Sequence, residues 1–187
     1  MDKKVNVVVD AMGGDYAPCE TVKGAVEAVN EKENLIVTLV GQETAIRKEL
    51  SKYEFAADRI EVVHAEDVIT NDEAPVLAIR RKKESSIVVG LNLLKAQKAD
   101  AFVSAGSTGA LVVGSTFIAK RLKGIKRAAL APILPSQNGF YMLLDAGANV
   151  DCRPDMLVQF AIMGSCYAEK ILGIKNPRVG LINVGAE

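Results

Sequence analysis

Short β-branched runs alternate along this chain with segments whose apolar residues recur every three or four positions, and few folds accommodate that alternation. Val5–Val9, Leu35–Val40, Ile60–His64 and Ala101–Ser104 read as strands. Between them, Val22, Ala25, Val26 and Val29 mark a helix from about Pro18 to Glu31. Ile46, Leu50 and Tyr53 mark a short second one, and Ile87, Leu91 and Leu94 another that begins near Glu84. Thr108–Lys120 is expected to be the helix behind the fourth strand. Strands separated by helices are read as parallel, because a crossover returns the chain to the same end of the sheet.

Two later features modify the pattern. Ala128–Leu134 and Phe140–Leu144 flank Pro135-Ser136-Gln137-Asn138-Gly139, whose Asn-Gly pair signals a β-hairpin. Pro154 opens a long helix with Met156, Phe160, Met163 and Tyr167 on one face and Leu157, Ala161 and Ala168 nearly opposite, so it is expected in a protein centre or at a subunit contact. Val179–Val184 reads as a final strand. The expected fold class is therefore α/β: a three-layer α/β/α sandwich with a mostly parallel sheet and a hairpin excursion. Residues 1–187 are expected to be the amino-terminal portion of a single catalytic domain, since a strand-end loop without its helix is an odd finish.

Composition removes several function classes. Lys+Arg and Asp+Glu each number 23, so no global basic field favours nucleic acid. Tryptophan is absent and aromatics are 5%, which leaves little for base stacking. Cys19, Cys152 and Cys166 form no CxxC pair, suit a reduced cytoplasmic protein and are expected to be packing residues. The uncharged stretch Ala101–Ala119 approaches the ~20 residues of a membrane span. Its Gly106, Gly109 and Gly114, interleaved with Ser104, Ser107 and Thr108, read instead as strand, loop and helix.

The functional signal lies where strands end. Val5–Val9 runs into Asp10, turns through Gly13-Gly14 and reaches Pro18. In open parallel sheets, loops at carboxyl strand ends bind ligands, and glycines let backbone N–H groups approach an anion. Ser104-Ala105-Gly106-Ser107-Thr108-Gly109 repeats the arrangement with two hydroxyls at a helix start. It lacks the Gly-Lys-Ser/Thr of a nucleotide loop and the GxGxxG of dinucleotide sites. Ser107 or Thr108 equally suits a helix cap. Asp145 and Asn149 flank a third glycine turn, while Asp151 is read as capping the Pro154 helix. Arg80-Arg81-Lys82-Lys83 supplies cations that suit either a developing oxyanion or a solvated face. His64, the single histidine, is read as structural, and no metal-ligand spacing or cofactor fingerprint is present.

VDAMGGDYAP, DEAPVLAIRRKKESS (Asp72–Ser86), ADAFVSAGSTGAL (Ala99–Leu111), LDAGANVDC (Leu144–Cys152) and NPRVGLINVGAE (Asn176–Glu187) together resemble, in order, the PlsX family of phosphate acyltransferases. That resemblance implies a fold similar to the isocitrate and isopropylmalate dehydrogenases and to phosphotransacetylases, usually as a homodimer. It implies transfer of an acyl group from acyl-acyl-carrier protein to inorganic phosphate for phospholipid synthesis, with the protein cytoplasmic and peripheral at the membrane. Members of the family extend further, through a membrane-facing segment, so the 187-residue chain is expected to be nearly inactive and prone to self-association.

No residue looks like an activated nucleophile, so phosphate is expected to attack the thioester directly. Gly13, Gly14, Ser104, Gly106, Ser107, Thr108, Gly109 and Asn149 are the candidate phosphate ligands. Lys82 or Lys83 is the candidate oxyanion partner, and Asp10 or Asp145 orients phosphate or takes its proton. Transfer from acyl-coenzyme A and a noncatalytic binding module are the alternatives.

Overall fold

The computed structural model describes residues 3–183. It divides into two compact units, with the boundary between Lys120 and Arg121. The first contains a parallel sheet of four strands, β1 (Val5–Asp10), β2 (Leu35–Gly41), β3 (Ile60–His64) and β4 (Ala101–Val103), in the order β3-β2-β1-β4. Helix α1 (Cys19–Glu31) connects β1 to β2, and α2 (Glu43–Leu50) leads from β2 towards β3. The chain then forms α3 (Pro75–Arg81) and α4 (Ser86–Lys95) before β4, which is followed by α5 (Thr108–Gly114).

Alternate residues of each strand face opposite layers, and the buried clusters follow that period. Val37 and Leu39 of β2 pack with Val22, Val26 and Val29 of α1 and Ile46 and Leu50 of α2. Val8 of β1 and Val40 of β2 face the other side, against Val89 and Leu93 of α4. A further cluster joins Ala78 and Ile79 of α3, Ile87 and Leu91 of α4 and Ala110 of α5. Helix, sheet and helix thus form three layers. At the amino ends of the strands, Asn6 donates through Nδ2 to Lys98 O (2.8 Å) and accepts from Thr38 Oγ1 (3.1 Å), which ties β1 and β2 to the segment entering β4.

The second unit holds an antiparallel hairpin, β5 (Ile133–Ser136) and β6 (Gly139–Met142), and the long helix α6 (Pro154–Lys170). Met156, Phe160 and Ala168 are its buried residues, whereas Val158 and Ile162 are exposed.

Several sequence expectations are corrected. The segment before Ser86 contains a separate helix, α3, which Pro75 starts and whose Ala78 and Ile79 are buried. Ser85 then caps α4 by accepting from Val88 N (3.4 Å), so two short helices stand where one was expected. The hairpin turn is Gln137-Asn138, because Ser136 pairs with Gly139 and the glycine opens β6 at φ 125°. The helix from Thr108 leaves α geometry after Gly114, and Lys120 N donates to Ser115 O, five residues back. Residues 179–183 are not a strand; Val179, Leu181 and Ile182 are exposed and pair with no strand among the described residues, and an apolar run forms a strand only beside a neighbour that completes its hydrogen bonds. Val184, the end of that expected strand, lies outside the described residues. Cys19 and Cys166 are exposed rather than packed.

Helix α4 lies against β4 with little room to spare. A Cβ at Gly90 would collide with the Phe102 ring and approach Val8 Cγ1 to 3.1 Å. Gly90→Ala is therefore expected to destabilise the first unit by about 1–3 kcal/mol despite alanine's better helix propensity. A lowered urea midpoint checks this; an unchanged or raised midpoint means that the ring moves freely.

Candidate functional site

The order β3-β2-β1-β4 reverses direction between β1 and β4. At such a reversal the connecting segments leave on opposite faces and open a crevice at the carboxyl strand ends. The register places Val9 opposite Val103, so Asp10 and Ser104 emerge side by side. Ser104 leaves the sheet there, one residue earlier than its apolar run suggests, and its Oγ donates to Asp10 Oδ2 (2.7 Å). Asp10 Oδ1 accepts from Met12 N (3.1 Å), and Gly106 N donates to Ser104 Oγ (3.0 Å). The Asp10 residue is only 1% exposed.

The two loops touch through their glycines. A Cβ on Gly13 would lie 2.5 Å from Asp10 Oδ2 and 2.7 Å from Gly106 N. No side chain fits there without parting the loops. Gly14 turns at φ 111°, a conformation glycine adopts without strain. Ser107 caps α5 by accepting from Ala110 N (3.3 Å), which decides between the two hydroxyls: Ser107 is the buried cap, and Thr108 is exposed. Gly109 rests on Pro75, the first residue of α3. Asp10, Gly13, Gly14, Ser104, Gly106, Ser107, Thr108 and Gly109 therefore share one end of one sheet.

Lys82 and Lys83 are engaged elsewhere. Lys82 Nζ donates to Glu73 Oε1 and to Val68 O, both at 2.7 Å. Its ammonium group, with Thr70 N–H, holds the Glu73 carboxyl below its ordinary range. Lys83, just past the end of α3, donates through Nζ to Ile79 O of that helix (3.2 Å). His64 Nδ1 accepts from Glu43 N (3.4 Å), tying the end of β3 to the start of α2.

In the second unit, Asp145 organises a loop. Its Oδ1 accepts from Leu130 N (2.6 Å) and its Oδ2 from Asn149 N (2.7 Å) and Asn149 Nδ2 (3.1 Å). Burial by itself raises the pKa of this carboxyl, but the donors from Leu130, Asn149 and Ala148 outweigh it and hold the value down. Asn149 Nδ2 also donates to Ala128 O (2.8 Å), so its amide hydrogens serve the loop.

The same unit contains an open pocket of about 920 Å³. Arg121, Lys126, Arg127 and Arg153 line it together with Asn149 and Asp151. In sequence this site is marked only by the density of cations in residues 121–127, four in seven positions. Among the described residues, no His, Cys, Asp and Glu side chains gather into a group able to hold a metal ion.

The profile of the "fatty acid synthesis protein" family matches residues 5–187. The chain belongs to that family. It is 54% identical over 183 residues to a phosphate acyltransferase of Clostridium novyi, covering 98% of this chain and 55% of the relative. A phosphate acyltransferase of Alkaliphilus oremlandii is 53% identical over 183 residues, with 98% and 54% covered. The chain thus spans about half the length of the curated relatives it matches. Among solved structures, a phosphotransacetylase from Streptococcus pyogenes aligns with a TM-score of 0.68 at 22% identity, over 91% of this chain and 55% of that one. The EutD phosphotransacetylase from Staphylococcus aureus aligns at 0.63 and 22%, over 88% and 53%. These two likenesses establish a shared α/β fold with a mostly parallel sheet.

Two outcomes follow for the family member described here. A double-mutant cycle of Asp10→Ala and Ser104→Ala, read by urea unfolding, is expected to give a coupling of about 1.5–3 kcal/mol, the range for a hydrogen bond to a charged group. Additive effects would mean that the two loops are held by something else. The lowered Glu73 pKa contributes stability above the ordinary carboxylate value of 4.5, and that contribution is lost as pH falls through the folded value. The stability difference between the natural chain and Glu73→Gln should therefore be full at neutral pH and shrink below pH 4.5. A difference that stays constant down to strong acid would remove the Lys82 pair as its origin.

Proposed function

We propose that this chain carries the phosphate-binding part of a phosphate acyltransferase, in which inorganic phosphate attacks the thioester carbonyl of an acyl-acyl-carrier protein. The observation that carries the reading is the Asp10–Ser104 bridge at the strand-order reversal, which brings two glycine loops together where open sheets bind ligands. Membership in the fatty acid synthesis protein family supports the chemistry.

Phosphate lies against the backbone of Gly13-Gly14 and of the loop Ser104–Gly109, with the exposed Thr108 hydroxyl beside it. A phosphate oxygen forms the new C–O bond, the tetrahedral oxyanion collapses, and the C–S bond breaks. The proton released by phosphate leaves with the thiol. Catalysis here is holding the reactants together and stabilising the oxyanion. Asp10 is a positioning residue, because both its oxygens are occupied by Ser104 and Met12. Asp145 and Asn149 position the loop of the second unit in the same way. Lys83, with one 3.2 Å bond to the Ile79 carbonyl of α3, is freer than Lys82 to meet the oxyanion. The acyl phosphate then feeds phospholipid synthesis. The reading extends to a homodimer in the cytoplasm, peripheral at the membrane, with a whole-protein fold akin to the isocitrate and isopropylmalate dehydrogenases.

The phosphotransacetylase neighbours favour a second reading, transfer from acyl-coenzyme A to phosphate. Parallel assays with the two thioesters, trapping the acyl phosphate with hydroxylamine, separate them. Calorimetric titration with inorganic phosphate tests both against a noncatalytic module, which would give no phosphate heat.

Thr108→Val is expected to weaken phosphate binding about ten-fold, the scale of one hydrogen bond to a charged group, at an unchanged melting temperature. Stability is spared because Ser107, not Thr108, supplies the cap. An unchanged phosphate affinity with a lowered melting temperature would make Thr108 purely structural.

A further inference from the structure

We propose that the cationic pocket of the second unit binds an organic ligand bearing two or more phosphate charges. This inference does not rest on the phosphate site assigned to the first unit. It starts from charge. Arg121, Lys126, Arg127 and Arg153 line the cavity, against the carboxylates of Asp151, on its wall, and Asp155, beside it. Two positive charges remain uncompensated, in a chain whose overall charge is zero. Lys126 Nζ pairs with Asp155, and Arg153 Nε lies 3.5 Å from the same carboxyl. Among the described residues, no carboxylate lies within ion-pair distance of Arg121 or Arg127.

A cluster of solvated arginines is ordinary; this one is framed. Gln159, on α6, donates through Nε2 to Gly124 O (2.9 Å) and accepts from Lys126 N (2.9 Å). One side chain thereby fixes both ends of a tight segment that Gly124 turns at φ 93°. The Arg121 guanidinium donates to Lys126 O across the same loop. The facing wall is pinned by Asn149 Nδ2 on Ala128 O. A backbone fixed before a ligand arrives costs less ordering on binding than a mobile one. The concave shape also concentrates their field.

Size selects the ligand class. A pocket of about 920 Å³ matches sites for organic small molecules and is far larger than one phosphate ion requires. Planar guanidinium groups favour bidentate contact with phosphate oxygens. A diphosphate attached to an organic body satisfies both the charge and the volume.

Calorimetric titrations of the full chain with orthophosphate, pyrophosphate and ADP test the assignment. ADP and pyrophosphate are expected to bind at least ten-fold more tightly than orthophosphate, with affinity falling as salt rises. Arg127→Gln should weaken ADP at least ten-fold and leave the orthophosphate response of the Thr108 site intact. Lys48→Gln removes the same charge from an exposed position on α2 and should change ADP affinity less than two-fold. If circular dichroism shows that Arg127→Gln is unfolded, Arg121→Gln takes its place. With the first-unit site weakened by Thr108→Val, equal affinities for the three anions, or equal losses in the pocket variant and Lys48→Gln, overturn the proposal. Loss of orthophosphate binding in Thr108→Val with ADP binding retained would separate the two sites.

Discussion

A single buried carboxylate decides how the first unit ends its central strands. Asp10 is held by a hydroxyl and a backbone N–H, and no cation pairs with it among the described residues. A charge removed from water needs such partners, because leaving it unmet costs several kcal/mol. Meeting that need has geometric consequences. Ser104 must leave the sheet, Gly106 must follow close behind to donate to Ser104, and Gly13 must lack a side chain. Ser107 then caps α5 directly after that constrained turn. The glycine-rich character of both loops thus follows from the packing requirement of one aspartate.

The basic residues divide by what surrounds them. Lys82 is half-buried and spans from Val68 to Glu73, closing the irregular segment before α3, so its charge is consumed by the fold. Among the described residues Arg121 and Arg127 have no such carboxylate, and they line an open concavity. Proximity in sequence to a phosphate-like motif therefore says less about a cation's role than the acceptors within its reach.

Layer order, parallel strands and the carboxyl-end loops were legible because apolar period and glycine placement are local properties. Val5–Val9 extends to Asp10 because Asp10 still pairs with Val40 of β2, whereas Ala101–Ser104 stops at Val103, where Ser104 turns its hydroxyl to Asp10. Helix α3 was hidden because its short apolar run Val76–Ile79 is followed at once by the basic residues 80–83. The hairpin was expected, but its turn falls one residue earlier, since Gly139 is needed in the strand rather than at the corner. Residues 179–183 show the converse, with strand-forming composition and no pairing partner among the described residues. The pocket was the least legible feature. Arg153 joins the 121–127 cations only through folding, and Gln159, a residue with no chemistry to advertise, holds their loop.

That glutamine separates two properties usually coupled in charged pockets. Its bonds to Gly124 and Lys126 involve a neutral amide, which neither titrates nor gathers counterions. The attraction of the arginines is screened over about 8 Å at physiological ionic strength. Salt therefore dims the field of this pocket and loosens its ion pairs at Asp155, while the turn that Gln159 holds keeps its shape.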